Sequence, residues 1–235
     1  QKSRGDLHIL LIGDPGVAKS VTLLFMAGIS PKGRYVVGKS ASGAGLTATV
    51  VRDEYLRGWS LEAGAMVLAH KGLVCIDELE KMDPNDRSAM HEGMEQQTIT
   101  ISKANVQATL RSETSVLAAA NPRLGRFDPY QPISQQIDLP PTLINRFDVI
   151  FPLRDLPDRK KDDLIATHVL KSHKDSGEDM LIPRELFRKY VAYAKQRVSP
   201  VLSEDAIEEI KKFYVDLRNM PVSSESALRP IPISA

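Results

Sequence analysis

The chain has 235 residues, 42% of them hydrophobic, enough for a buried core and for one or two domains. Its 31 lysines and arginines nearly balance 30 aspartates and glutamates, and a net charge of +1 excludes a global field that attracts nucleic acid; any such contact must come from local basic positions. The single cysteine, Cys75, excludes an internal disulfide and most cysteine metal sites, which suits an intracellular protein, and no stretch reads as a membrane span or signal peptide.

The chain starts at Gln1 and reads as a piece of something longer. Leu7 to Ile12 is a nearly continuous apolar run of the buried-strand type, and Ser20 to Ile29 reads as a helix. Between them stands Gly13-Asp14-Pro15-Gly16-Val17-Ala18-Lys19-Ser20. Strand, loop and helix in this order make a phosphate-binding loop of the G-x-x-x-x-G-K-[ST] type. Backbone N–H groups wrap the phosphates, the lysine reaches the β/γ-phosphates and the hydroxyl holds Mg²⁺. Gly13, Lys19 and Ser20 fit, whereas Ala18 stands where the last glycine belongs. The competing reading, a Gly/Pro turn before a lysine, is disfavoured by the flanking elements.

Four more short apolar segments read as buried strands: Tyr35 to Val37, Leu73 to Ile76, Ser115 to Ala120 and Val149 to Phe151. Helical stretches or turns separate most of them, which predicts an α/β fold with a five-stranded parallel sheet. The third strand ends abruptly in Asp77-Glu78, at the sheet edge where ligands bind. Beside a phosphate loop, Asp77 suits Mg²⁺ and Glu78 suits the attacking water. Thr98 to Leu110 alternates apolar and polar residues on both sides of a turn, as a β-hairpin does, with Lys103 near its tip. On its own such a lysine is usually just solvated. The fourth strand runs into Asn121-Pro122, where the amide suits a γ-phosphate or water contact and equally suits an ordinary turn. Leu143 to Asp148 puts Arg146 just before the last strand, and spacing alone does not choose between a guanidinium acting on a neighbour's γ-phosphate and a surface arginine paired with Asp148.

After Pro157 the pattern becomes helical, with apolar residues at helical spacing over Arg159 to His173, Arg184 to Arg197 and Glu204 to Asn219, then a Pro/Ser-rich tail from Met220 to Ala235. A domain boundary is expected near residue 156, giving 1–156 as the α/β core and 157–235 as a small helical part.

Together these elements resemble an AAA+ P-loop ATPase, and their details resemble the minichromosome-maintenance (MCM) replicative helicases. The loop carries that family's alanine at Ala18. Ile76-Asp77-Glu78-Leu79-Glu80-Lys81-Met82 is similar to its Walker B signature except at Leu79 and Glu80, where Phe or Ile and Asp are more typical. Asn145-Arg146-Phe147-Asp148 resembles its arginine-finger motif, and Gly45-Leu46-Thr47-Ala48, Leu61-Glu62-Ala63-Gly64-Ala65 and His91-Glu92-Gly93-Met94-Glu95-Gln96-Gln97-Thr98 match as well.

The resemblance covers about Arg4 to Leu156 and implies ATP or ADP with Mg²⁺ as cofactors. Asp14, Pro15, Gly16, Val17, Ala18, Lys19, Ser20 and Asn121 would bind the nucleotide of their own subunit, with Ser20 and Asp77 toward Mg²⁺. Lys19, Asp77, Glu78, Asn121 and Arg146 would carry catalysis, with Arg146, Gln96 and Arg4 reaching the next subunit's nucleotide. Thr47 to Met66 would be the family's helix-interrupting hairpin, with Arg52 and Arg57 adding charge, and Trp59 and Tyr55 near its end either pack locally, the favoured reading, or meet DNA. Residues 98–110 would be the pore hairpin, its Lys103 contacting DNA phosphate without reading sequence. The lid would be incomplete: a lid-helix arginine, an N-terminal DNA-binding domain and a winged helix are expected to be missing, and Arg229 is not promoted to that arginine's role.

The implied function is the ATPase motor of a homo-hexameric DNA helicase working with other replication factors and no membrane. A single archaeal protein, cytoplasmic and nucleoid-associated, is expected, or a nuclear one if the source is eukaryotic. A chelatase-type AAA+ motor has similar inserted hairpins but is not expected to share Ala18 with the Arg146 and Gln96-Gln97 motifs. From another class, an ATP-dependent assembly switch or loader would bind DNA without translocating. A GTPase is disfavoured because no Asn-Lys-x-Asp motif occurs.

Overall fold

The computed structural model describes residues 5–39, 43–53, 58–103, 106–174 and 182–219. In chain order the elements are β1 His8–Gly13, α1 Lys19–Ile29, β2 Arg34–Val37, α2 Gly43–Leu46, β3 Ala48–Asp53, β4 Gly58–Ala63, α3 Ala65–Leu68, β5 Leu73–Asp77, α4 Pro84–Gln96 and β6 Thr98–Lys103. There follow β7 Val106–Arg111, β8 Ser115–Ala120, α5 Pro141–Ile144, β9 Val149–Leu153, α6 Arg159–Lys174, α7 Arg184–Arg197 and α8 Glu204–Asn219.

Five strands form one sheet in the order β2-β5-β8-β1-β9, with every neighbouring pair parallel. Side chains alternate across a strand, so each apolar run feeds both faces. Leu10, Ile12, Val74, Ile76, Val116, Ala118 and Ala120 point to one face, where Met90 and Met94 of α4, Leu143 and Phe147 complete the main cluster. The intervening Cys75, Leu117 and Ala119 point to the other face and meet Leu23 of α1. Each fully buried Leu, Ile or Met there contributes about 1.5–3 kcal/mol relative to exposure, which makes the sheet and its covering helices the stable centre of the chain. Burial also pushes the Cys75 thiol up to about 12, so it stays a neutral core group.

Two antiparallel hairpins leave this frame. In one, β3 and β4 pair from Ala48↔Ala63 to Asp53↔Gly58. Trp59, expected to pack locally, is instead 56% exposed and stands opposite Arg52. By alternation Trp59 shares its face with Leu61, which packs on the main core, but it stands farther toward the tip of the ribbon, past the core that covers that face. Tyr55 and Arg57 lie outside the described residues. In the other, β6 and β7 pair from Thr98↔Arg111 to Lys103↔Val106; Ile99 and Ile101 join the main core while Thr100 and Ser102 face solvent. The Lys103 side chain, Ala104 and Asn105 lie outside the described residues.

Helix α4 starts where Asp83 accepts a hydrogen bond from the Asn85 N–H at 2.9 Å and Pro84 takes the first helical position. It ends at Gln97, in left-handed backbone. Contacts divide the chain into two compact units: residues 6–192, and a second containing, among the described residues, Gly5 and 193–219. The expected boundary near residue 156 falls between β9 and α6. In the first unit, the rings of Phe25 on α1 and Phe187 on α7 stack with centroids 6.5 Å apart. Helices α7 and α8 carry no buried residue. Among the described residues, no helix is long and apolar enough to cross a membrane.

Candidate nucleotide site

The loop after β1 turns through two left-handed positions. Gly16 has φ 86°, where glycine fits without cost. Ala18 has φ 59° and ψ 22°, so the alanine adopts the conformation that a glycine would take there, at a cost of about 1–2 kcal/mol. Pro15, Gly16, Ala18 and Ser20 are exposed and Val17 is half-buried, which leaves the loop and the first turn of α1 open to a ligand.

Lys19 is only 8% exposed, and its Nζ donates to the carbonyl oxygens of Gly13 and Asp14, both at 2.7 Å. Burial lowers its pKa, while the carboxylates of Asp77, Glu80 and Asp14 oppose that shift. The ammonium is thus held inside the loop by carbonyl groups that a polyphosphate, with stronger anionic acceptors, would outcompete. The Asp14 carboxylate accepts from the Phe127 N–H at 2.7 Å and the Asp155 N–H at 2.8 Å. This side chain therefore ties the loop to the segments beyond β8 and β9, and the Asp14 N–H donates to the Leu153 carbonyl of β9 at 3.0 Å.

At the end of β5, Asp77 accepts from Tyr35 Oη and from the Glu78 N–H, both at 2.9 Å. Burial, then the hydrogen bond to this carboxylate, pushes the Tyr35 phenol up to about 12. Glu78 is left-handed, φ 53°, and its carboxylate is taken by Lys81 at 2.7 Å. That hydrogen bond raises the Lys81 pKa. Gly38 lets the exit of β2 pass close by: its N–H donates to the Asp77 carbonyl at 2.7 Å, and a Cβ there would come 2.5 Å from the Glu78 carbonyl oxygen. Asn121, at the end of the neighbouring β8, donates from Nδ2 to Glu80 Oε1 at 2.8 Å.

Lys19, Ser20, Asp77, Glu78 and Asn121 are thereby brought to the C-terminal edge of one parallel sheet. The donors fit a Mg²⁺-nucleotide. Ser20 offers an exposed hydroxyl and Asp77 a carboxylate, hard oxygen ligands of the kind Mg²⁺ selects.

Arg146 does not join this group. It follows α5 and turns to α4, where its Nε donates to His91 Nε2 at 3.1 Å and its Nη2 pairs with Glu95 Oε1 at 2.7 Å. The carboxylate of Asp148, the partner open on spacing alone, accepts from the His8 N–H at 2.7 Å. Gln96 is exposed on the last turn of α4, and Gln97 Nε2 donates to Asp6 at 2.6 Å. Arg4 and Arg229 lie outside the described residues.

Sequence reasoning missed Tyr35, Arg87, His91 and Glu95 as partners of the site. The Asp83-Pro84 pair is a helix-start signal, and from it Arg87, His91 and Glu95 follow at four-residue spacing on one face of α4.

A parallel sheet of this order, with a phosphate loop after β1, an acidic pair after β5 and a polar amide after β8, defines a P-loop protein of the AAA+ class. The chain belongs to the MCM family: the MCM P-loop domain matches residues 1–173 and the MCM AAA-lid domain residues 185–235. It is 45% identical over 231 residues to "Minichromosome maintenance protein MCM" of Saccharolobus solfataricus, covering 98% of this chain and 33% of that protein. It is 44% identical over 246 residues to "DNA replication licensing factor MCM5" of Arabidopsis thaliana, covering 99% and 33%. For the MCM4 licensing factor of the same plant the figures are 44% over 218 residues, 92% and 26%. The chain thus spans about a third or less of the curated relatives it matches, and identity to archaeal and plant proteins is nearly equal.

Proposed function

We propose that this chain is the ATP-hydrolysing motor of a hexameric replicative DNA helicase, with each active site completed by a neighbouring copy. One observation carries the reading. Arg146 precedes β9, and the chain is fastened there by the Asp148 N–H donating 2.9 Å to the His8 carbonyl, at the start of β1. The phosphate loop begins at Gly13, at the other end of β1. A strand rises about 3.3 Å per residue, so roughly 16 Å of strand separates the two. The guanidinium cannot serve its own loop, and a second copy's nucleotide is the anion that suits it.

In this reading Lys19 exchanges the Gly13 and Asp14 carbonyls for the β/γ-phosphates, with the backbone N–H groups of Gly16, Val17 and Ala18 around them. Ser20 and Asp77 hold Mg²⁺, which when bound neutralises charge on the phosphate oxygens. Glu78, once Lys81 lets go, orients and polarises the attacking water, and Asn121 places an amide N–H toward the γ-phosphate. Arg146 stabilises transition-state charge on the neighbour's nucleotide, with Gln96 beside it. Lys103 carries the contact with DNA phosphate. Residues to 156 form the catalytic α/β part and those from 157 the helical lid.

Mixing Lys19→Ala and Arg146→Ala subunits of the full-length protein tests this. Each alone should lose most ATPase activity. Mixed assemblies should recover part of it, because some interfaces regain both groups. Absence of recovery after verified subunit exchange would sink the trans role of Arg146.

A further inference from the structure

Glu80 sits on the short turn Leu79–Lys81 after β5. Three contacts fix the turn. Leu79 is fully buried in the core beside it. From α4, Arg87 donates through Nη2 to the Glu80 carbonyl at 2.5 Å and through Nε to the Met82 carbonyl at 3.0 Å. A guanidinium fork on two carbonyls of one tight turn, two residues apart, leaves its backbone little freedom.

From this base the Glu80 side chain reaches the end of β8 and accepts the Asn121 amide N–H at 2.8 Å. The contact chooses the amide's orientation: a flipped Asn121 would set its oxygen against a carboxylate, two acceptors with no proton between them. With one N–H spent on Glu80, the second N–H and the oxygen remain to meet a ligand. The other Glu80 oxygen, buried without a hydrogen-bond partner, makes no competing claim on the side chain.

We propose that Glu80 is a positioning residue, which acts on hydrolysis by holding the Asn121 amide in the orientation that presents its remaining N–H to the nucleotide. This rests on the role proposed for Asn121 above. Arg87 acts one step further back, by holding the turn. Glu80 itself touches no reacting atom, so its loss should slow turnover without loosening nucleotide binding.

The test compares Glu80→Ala, Glu80→Gln, Asn121→Ala and the Glu80→Ala/Asn121→Ala double variant in the full-length protein, measuring kcat and KM for ATP and the Kd of a fluorescent ADP analogue. Misplacing a group that must meet the reacting centre costs on the order of tenfold to a hundredfold, so Glu80→Ala should lower kcat by about that factor with Kd within about twofold of the parent. Glu80→Gln keeps an acceptor oxygen and should recover most of the loss. The double variant should be no slower than Asn121→Ala, because Glu80 acts through that amide. Additive losses, or a Gln variant as slow as the Ala variant, would overturn the positioning role and point to the charge near Lys19 instead. If Asn121→Ala left kcat unchanged, the role proposed for the Asn121 amide would fail first, a result separable from a Glu80 failure by that variant alone.

Discussion

Ala18 shows how much a single backbone conformation decides. Its positive φ belongs to the loop, since the strand before it and the helix after it are both anchored in the core, and an alanine takes it by accepting strain. Replacing it with glycine removes about 1–2 kcal/mol of strain but adds about 0.4–1 kcal/mol of chain entropy to the unfolded state. Ala18→Gly should therefore shift unfolding stability by less than about 2 kcal/mol, toward greater stability, and leave ADP affinity near the parent value. Urea unfolding with and without nucleotide reads both. A variant that folds but no longer binds nucleotide would show that the methyl group does more than tolerate the turn.

At the scale of elements, the sheet was legible because parallel strands covered on both faces must be apolar nearly throughout, as in Leu73 to Ile76 and Ser115 to Ala120. Lid helices were legible from apolar spacing even though α7 and α8 bury nothing themselves. Side-chain meetings were not legible: Asn121 with Glu80, Asp14 with Phe127 and Asp155, and Arg146 with His91 join residues that only the fold brings together, and no periodicity reports them. The 98–110 hairpin lies between these cases. Its alternation announced it, and Ile99 and Ile101 root it in the same core as Met90 and Met94 of α4. A rooted hairpin can transmit a shift of α4 to its tip. In the full-length protein, Lys103→Ala should abolish or severely reduce duplex unwinding while leaving basal ATP hydrolysis within about twofold, because one phosphate contact is lost and the root is untouched. Undiminished unwinding would remove Lys103 from the DNA path.

For the whole molecule, the decisive quantity is how many copies make one site. In the proposed reading the groups at the sheet edge would supply phosphate binding and water activation, yet the Arg146 guanidinium stands toward the far end of β1, tied to Glu95 and His91. A net charge of +1 gives little long-range repulsion between copies, so association rests on local contacts. A trans arginine can be worth roughly 10³ to 10⁵ in rate, which on the proposed reading would leave a lone chain nearly inert and a paired one active. For this chain, ATPase activity per molecule should rise steeply with protein concentration, whereas Arg146→Ala should stay flat at the lone-chain level. Nucleotide binding should not follow that curve: ADP with Mg²⁺ at about 100 times its Kd should stabilise dilute protein by about 2.7 kcal/mol, since Lys19, Ser20 and Asp77 come from one copy. Activity per molecule that is constant over a hundredfold dilution, and still depends on Arg146, would place that guanidinium in its own copy's site, which roughly 16 Å of β1 forbids.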